Sequence, residues 1–209
     1  MQLSVAGLLG LAVIMVTSAG MSVGQSQTTL GTVLLSRHTL YAVAAIAAMF
    51  LASRLDVRRL QELRGWSNPV PWIMGLSLAL VVLTMVPGIG LTINGANRWL
   101  RLGPASLGVT FQPSELVKWV MVIAIALWCS RRQAMMHRFK DGLFPPLLLL
   151  GVSCVLVVKD DLGTAALIGA VAMIMLVAGG ARFWHLATVI PPAACGVVIA
   201  IASSAYRRA

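Results

Sequence analysis

Long apolar runs separated by short basic clusters organise this sequence. No Asp, Glu, Lys or Arg occurs from Met1 to Ser36, and further charge-free stretches follow at His38–Ser53, Gly65–Asn97, Trp119–Ser130, Gly142–Val158, Leu162–Ala181 and Phe183–Tyr206. A bilayer core about 30 Å thick is crossed by roughly 17–25 apolar residues at 1.5 Å rise each. The pattern therefore predicts helices at about residues 3–24, 38–53, 69–87, 113–130, 143–158, 162–179 and 186–205. The first run has no basic segment ahead of it and exceeds the roughly 7–15 apolar residues of a signal peptide, so it reads as a retained helix. Pro191-Pro192 removes two backbone donors and predicts a kink or break in the last helix.

Composition agrees with that reading. Of the 209 residues 59% are hydrophobic and 11% charged, and the mean hydropathy is +0.90. A soluble domain carries about a quarter charged residues. The formal charge of +10, from 16 Lys+Arg against 6 Asp+Glu, would suggest nucleic acid in a soluble chain. Here the basic residues lie between apolar runs, where they set membrane orientation, so no nucleic-acid partner is expected. Arg54, Arg58, Arg59, Arg64, Arg131, Arg132, Arg138, Lys140 and Arg182 fall on one side. Arg37, Arg98, Arg101, Lys159, Arg207 and Arg208 fall on the other. The denser set predicts the cytoplasmic face, placing the N-terminus inside and the C-terminus outside. Trp66, Trp72, Trp128 and Trp184 then lie near the cytoplasmic interface. The expected fold class is an all-α polytopic membrane protein of about seven transmembrane helices, with residues 1–209 as a single transmembrane domain.

Cys129, Cys154 and Cys195 show no paired spacing, and His38, His137 and His185 form no ligand pattern, so disulfide or metal use is not indicated. Gly20 and Gly24 form a small-xxx-small pair suited to close helix packing. No cofactor is evident, and the sequence leaves a divalent cation open.

The external loop between the third and fourth helices carries the chemistry. It reads Pro87-Gly88-Ile89-Gly90, then Asn94-Gly95-Ala96-Asn97-Arg98-Trp99, then Phe111-Gln112-Pro113-Ser114-Glu115-Leu116-Val117-Lys118. Its glycines and prolines imply tight turns. Pro113 suits the first helical position, and Glu115 the first turn at the positive end of the dipole. Lys118 sits where the dipole disfavours a cation, and an intramembrane lysine usually faces a partner or a wet cavity. Glu115, three residues earlier, shares its face. An ion pair that merely holds the helix end is one explanation, and a polar cavity open to the outside is the preferred one. In the second external segment, Lys159-Asp160-Asp161-Leu162-Gly163-Thr164, Asp161 is placed as an N-cap. Two outward helix N-termini with Arg98, Arg101 and Lys118 nearby would suit a phosphate or diphosphate. A lipid-linked diphosphate fits such a place, since its tail stays in the bilayer.

At these residues the chain resembles the SEDS family, the polytopic enzymes of bacterial shape, elongation, division and sporulation. Asn-Gly-Ala-Asn-Arg-Trp followed by Phe-Gln-Pro-Ser-Glu-Leu-Val-Lys is similar to the family's loop-and-helix signature. Asp161-Leu162-Gly163-Thr164 resembles its second motif, although Lys159-Asp160 stand where Gln-Pro is usual. The Pro-Gly-Ile-Gly and Asn-Gly-Ala elements resemble the division branch more than the elongation branch. The resemblance implies a peptidoglycan glycosyltransferase that polymerises lipid II at the outer face of the bacterial cytoplasmic membrane, at the division septum. It implies a class B penicillin-binding protein as partner, alongside other membrane proteins of division. It also implies that Arg98, Gln112, Ser114, Glu115, Lys118 and Asp161 line the outward cavity, with Arg98 and Lys118 holding diphosphate and Glu115 positioning Lys118.

Family members have about ten helices, and the aspartate thought to act as base lies in a large external loop after the seventh. Tyr206-Arg207-Arg208-Ala209 resembles the opening of that loop. A fragment or truncated frame is therefore expected, with no catalytic residue assigned before Ala209. Two other readings stay open. One is a transporter of a lipid-linked precursor, which would need access from both faces, yet the intramembrane charge is all outward. The other is a non-catalytic membrane partner of the transpeptidase.

Overall fold

The computed structural model describes residues 2–23, 37–54, 56, 59–63, 65–86, 88–93, 96–101, 110–159 and 161–203. The chain falls into two compact units, Met1–Val57 and Arg58–Ala209. In the first, helix α1 (Gln2–Val23) packs against α2 (Arg37–Ser53). Both match the expected runs within a residue.

The second unit begins with a short helix α3 (Arg59–Glu62) and a 3₁₀ turn over Gly65–Ser67. Helix α4 (Pro69–Thr84) follows, started by the Asn68 side chain accepting from the Val70 N–H at 3.0 Å, with Pro69 in the first turn. Three short antiparallel strands come next: β1 (Gly90–Ile93), β2 (Ala96–Arg101) and β3 (Thr110–Phe111), in the order β1-β2-β3. Helix α5 (Pro113–Arg131) then leads through a π-helical turn (Phe139–Leu143) into α6 (Phe144–Val158). Helices α7 (Leu162–Ala178), α8 (Phe183–Ala187) and α9 (Ile190–Ser203) complete the unit.

Helix α5 is the hub, packing on α4 and α7, while α6 packs on α7. Its buried stripe, Val117, Met121, Ile125 and Cys129, repeats every four residues, and α7 answers with Ala165, Ile168, Ala172 and Leu176. Ser77 and Ser153 are fully buried, and each hydroxyl donates to a carbonyl of its own helix, Met74 and Leu149, both at 2.8 Å. Large apolar side chains also cover the outside: Val155 is 70% exposed and Ile174 69%. An apolar exterior on this scale is at odds with water and suited to lipid. Among the described residues, Pro113–Arg131 and Phe139–Val158 are long and apolar enough to cross a bilayer, and Thr39–Ser53, Pro69–Thr84 and Leu162–Ala178 are shorter apolar helices.

The structure departs from the sequence expectation in three places. The loop after α4 is a small sheet rather than turns alone. Helix α4 stops at Thr84, three residues before the expected end, because Pro87 disfavours helical backbone at its predecessor and Gly88 follows at φ +90°. The run expected as one helix over residues 186–205 is two. Pro191 and Pro192 have no N–H to offer the carbonyls of Ala187 and Thr188, so α8 ends at Ala187 and a new helix begins at Ile190.

Candidate functional site

The site is assembled where the hairpin meets the first turns of α5 and α7. Strand β2 packs on both α4 and α5 and buries Leu100 between them. In the ladder Leu91 pairs with Trp99 and Thr92 with Asn97, so one step along β1 spans two along β2. Arg98 is the extra residue of that β-bulge. A bulge bends its strand and re-aims the unpaired side chain. Here the Arg98 guanidinium Nη1 comes within 3.7 Å of the Asp161 Oδ2. Gly90 makes the close seating of the hairpin possible: a Cβ there would stand 2.1 Å from the Thr84 carbonyl oxygen.

Asp161 occupies the N-cap of α7, and its Oδ1 accepts from the Thr164 N–H at 2.9 Å. Gln112 stands at the N-cap of α5 but spends its side chain elsewhere. Its amide Nε2 donates to the Ser114 Oγ at 3.0 Å and to the Asp161 Oδ2 at 3.2 Å. One carboxylate therefore ties together the bulge of β2, the start of α5 and the start of α7. Asp161 lies between the apolar helices α6 and α7. Burial pushes its carboxyl up, and the Thr164 N–H and hydroxyl, the Arg98 charge and the Gln112 amide together outweigh that effect. The group is held below its ordinary value of 3.8.

A cavity of about 20 Å³, room for a single water, lies among Val81, Thr84, Asn97, Arg98, Ser114 and Asp161. Arg98 Nε is buried and has no hydrogen-bond partner among the described residues. An unsatisfied buried donor costs about 1–3 kcal/mol, which a guest at this position would relieve.

Glu115 and Lys118 form a second group on α5. Lys118 Nζ donates to the Glu115 Oε2 at 2.6 Å, and its ammonium lies 5.8 Å from the Trp119 ring centroid. Lys118 also borders an apolar groove of about 300 Å³ between α5 and α7.

Of the six expected site residues, the structure brings together Arg98, Gln112, Ser114 and Asp161, and separately Glu115 and Lys118. The Glu115 N–H donates to the Gln112 carbonyl at 3.2 Å, and among the described residues no side-chain hydrogen bond or ion pair joins the two groups. Each cation already faces a carboxylate, so the four charges balance. Of the two expected anion-accepting helix ends, α7's is closed by Asp161, while α5 has no side-chain cap bond. Arg101 is exposed at the end of β2 opposite Thr110, and Asp160 lies outside the described residues. Sequence reasoning missed Thr84 and Asn97, which line the cavity. The bulge that isolates Arg98 left no sequence signal, whereas Asn94-Gly95 between β1 and β2 is a strong hairpin signal.

The family model of FtsW, RodA and SpoVE cell cycle proteins matches residues 1–209. Curated relatives include the probable peptidoglycan glycosyltransferase FtsW of Thioalkalivibrio sulfidiphilus, 34% identical over 212 residues, covering 100% of this chain and 50% of the relative. The protein of the same name from Geobacter sp. (strain M18) is 35% identical over 196 residues, covering 93% of this chain and 51% of its own length. The chain thus spans about half the length of these relatives. A solved chain from work on the structural coordination of polymerization and crosslinking by a peptidoglycan synthase complex superposes with a TM-score of 0.61. It is 26% identical and is matched over 97% of this chain and 56% of its own.

Proposed function

The chain belongs to the FtsW/RodA/SpoVE family of cell cycle proteins, and from that premise we propose that it forms part of a membrane peptidoglycan glycosyltransferase of cell division. The reaction would polymerise lipid II, a sugar hydroxyl displacing a polyprenyl-diphosphate leaving group. The observation that carries this reading is the Arg98–Asp161–Gln112 network, which lies within the stretch matched to curated glycosyltransferases.

In this reading Arg98 is the diphosphate anchor. Its bulged position presents a planar guanidinium on a side chain that is 34% exposed, and such a fork suits phosphate oxygens. Gln112 and Asp161 hold that guanidinium in place. Lys118 supplies a second cation, steadied by Glu115, and the apolar groove beside it would take the start of the lipid tail. Asp161 is a poor general base, because the hydrogen bonds that keep it ionised also lower its affinity for a proton. No base is assigned within the chain.

We read the basic clusters as cytoplasmic, the hairpin as external, and the long helices as about seven spans of one membrane domain, at the division septum. A class B penicillin-binding protein is the proposed partner. The solved neighbour from a synthase complex supports partnership in general.

The test is polymerisation of purified lipid II, read as glycan strands on a gel, by the protein extracted at its native length with its partner. Strands lost on Arg98→Ala, with the helical content unchanged, would support the reading. Lipid II flipped across sealed vesicles without strand formation would replace it with transport.

A further inference from the structure

The second unit has another concavity at its opposite end. Helices α4 and α5 run antiparallel: Val81 of α4 meets Pro113 and Ser114 of α5 at the hairpin end, while Met74 shares the other end with Ile125 and Trp128. There, between α4, α5 and the start of α6, opens a trench of about 920 Å³. That is within the size of small-molecule sites, roughly 300–1,000 Å³. Met74, Leu78, Ile125 and Leu149 make its walls apolar, and Arg131 and Arg132 stand at its mouth.

The two arginines differ. Arg131 Nη2 donates to the backbone carbonyls of Leu60, Gln61 and Leu63, so it is committed to closing the turn after α3. Arg132 is exposed, lies 4.4 Å from the Trp128 ring centroid, and among the described residues its side chain gives one bond, Nη1 to the Asp141 carbonyl at 3.3 Å. A guanidinium has five donors, so this one is held in position by a ring while keeping donors to spare.

Gly75 adds an independent observation. It lies inside α4, where glycine costs about 0.5–1 kcal/mol against alanine, and a Cβ there would meet nothing within 4 Å. No packing contact with the described residues requires a glycine at this point, and its effect is to leave the trench wall open.

We propose that the trench binds an anionic glycerophospholipid, with one acyl chain along Met74, Leu78, Ile125 and Leu149 and the phosphate on Arg132. The apolar walls alone would accept any acyl chain. The fixed guanidinium at the mouth selects a headgroup with net negative charge over a zwitterionic one, whose ammonium opposes it. Membrane lipid is the occupant because the trench lies among helices whose other faces are apolar and exposed. The proposal is independent of the reaction at the hairpin end.

The experiment is native mass spectrometry of the protein released from bilayers of phosphatidylglycerol and phosphatidylethanolamine in equal amounts. One phosphatidylglycerol should be retained in about fivefold preference. Arg132→Gln should abolish the preference while leaving some lipid bound. Gly75→Leu, which fills open space, should abolish retention of both lipids with the melting temperature preserved. Ala124→Leu, on the facing helix, is the second variant should the first fail to fold, with the same expected loss. Equal retention of the two lipids by the unaltered protein would overturn the proposal, as would retention unaffected by filling the trench. A disulfide formed under copper–phenanthroline between Gly75→Cys and a cysteine placed on a further helix of a longer chain would overturn it too, because protein would then fill the trench.

Discussion

Arg98 and Asp161 each depend on the other for their state. Removing the guanidinium takes a charge from the carboxylate and leaves the cavity without a cation, so under the proposed function Arg98→Ala should weaken lipid II binding by at least about tenfold. A lysine has the charge without the fork and should restore only part of that loss. Equilibrium binding in detergent micelles, with undecaprenyl monophosphate as the control ligand, checks both variants. Asp161 makes a different prediction. Asparagine caps a helix as well as aspartate does, so Asp161→Asn should keep α7 while losing the charge that faces Arg98. Asp161→Ala should lose the cap as well, at a cost of about 0.5–2 kcal/mol. Because the folded carboxyl is held below 3.8, the unfolded chain binds more protons just below that pH. The stabilisation from ionised Asp161 is therefore complete above about pH 4 and is lost as pH falls through the folded value. Thermal unfolding of the original and Asp161→Asn proteins should differ at pH 6 and converge as the pH is lowered below 4.

At the scale of elements, the hairpin is the part most exposed to single changes. Gly90→Ala would place a Cβ 2.1 Å from the Thr84 carbonyl oxygen. The obstacle is backbone and cannot swing away, so the hairpin must lift from α4, at about 1–3 kcal/mol. The change should lower the melting temperature and, by moving Arg98, weaken lipid II binding with it. A melting temperature unchanged from that of the original protein would mean that the hairpin does not sit as described. The helices were legible in the sequence because charge gaps and length decide them: Pro113 and Asp161 start two of them by local rules alone. The sheet was only half legible: Asn94-Gly95 signals a hairpin, but the strands are short and their side chains do not alternate cleanly. The break at Ala187 was half legible: Pro191-Pro192 announced a disruption, but that the helix would restart at Ile190 depended on which carbonyls went unpaired. The site shows the same division. Its residue types were visible as motifs. The bulge that aims Arg98, and the choice of Gln112 to brace Asp161 rather than cap its own helix, are consequences of packing between segments about fifty residues apart.

For the whole molecule, the placement of charges and aromatic rings predicts which end of the second unit faces the cell interior. The end bearing Arg131, Arg132, Arg138, Lys140 and Arg182 holds the exposed Trp66 and Trp184, at 85% and 80%, and Trp128 under Arg132. Amphipathic rings and clustered cations together mark an interfacial zone. The hairpin end has fewer cations, and two of them, Arg98 and Lys118, face carboxylates. Paired cations offer little to an anionic leaflet, so the orienting bias should come almost wholly from the basic end. That predicts a labelling pattern. With the native Cys129, Cys154 and Cys195 replaced, a cysteine at Arg101 should react with a membrane-impermeant maleimide in spheroplasts, and one at Arg138 only after permeabilisation. The reverse pattern would place the hairpin inside and remove the basis for polymerisation at the outer surface. If the expected pattern appears, neutralising Arg131, Arg132, Arg138 and Lys140 together should scramble it, whereas neutralising Arg98 and Lys118 should leave it unchanged. That contrast separates charges that orient the chain from charges that serve its site.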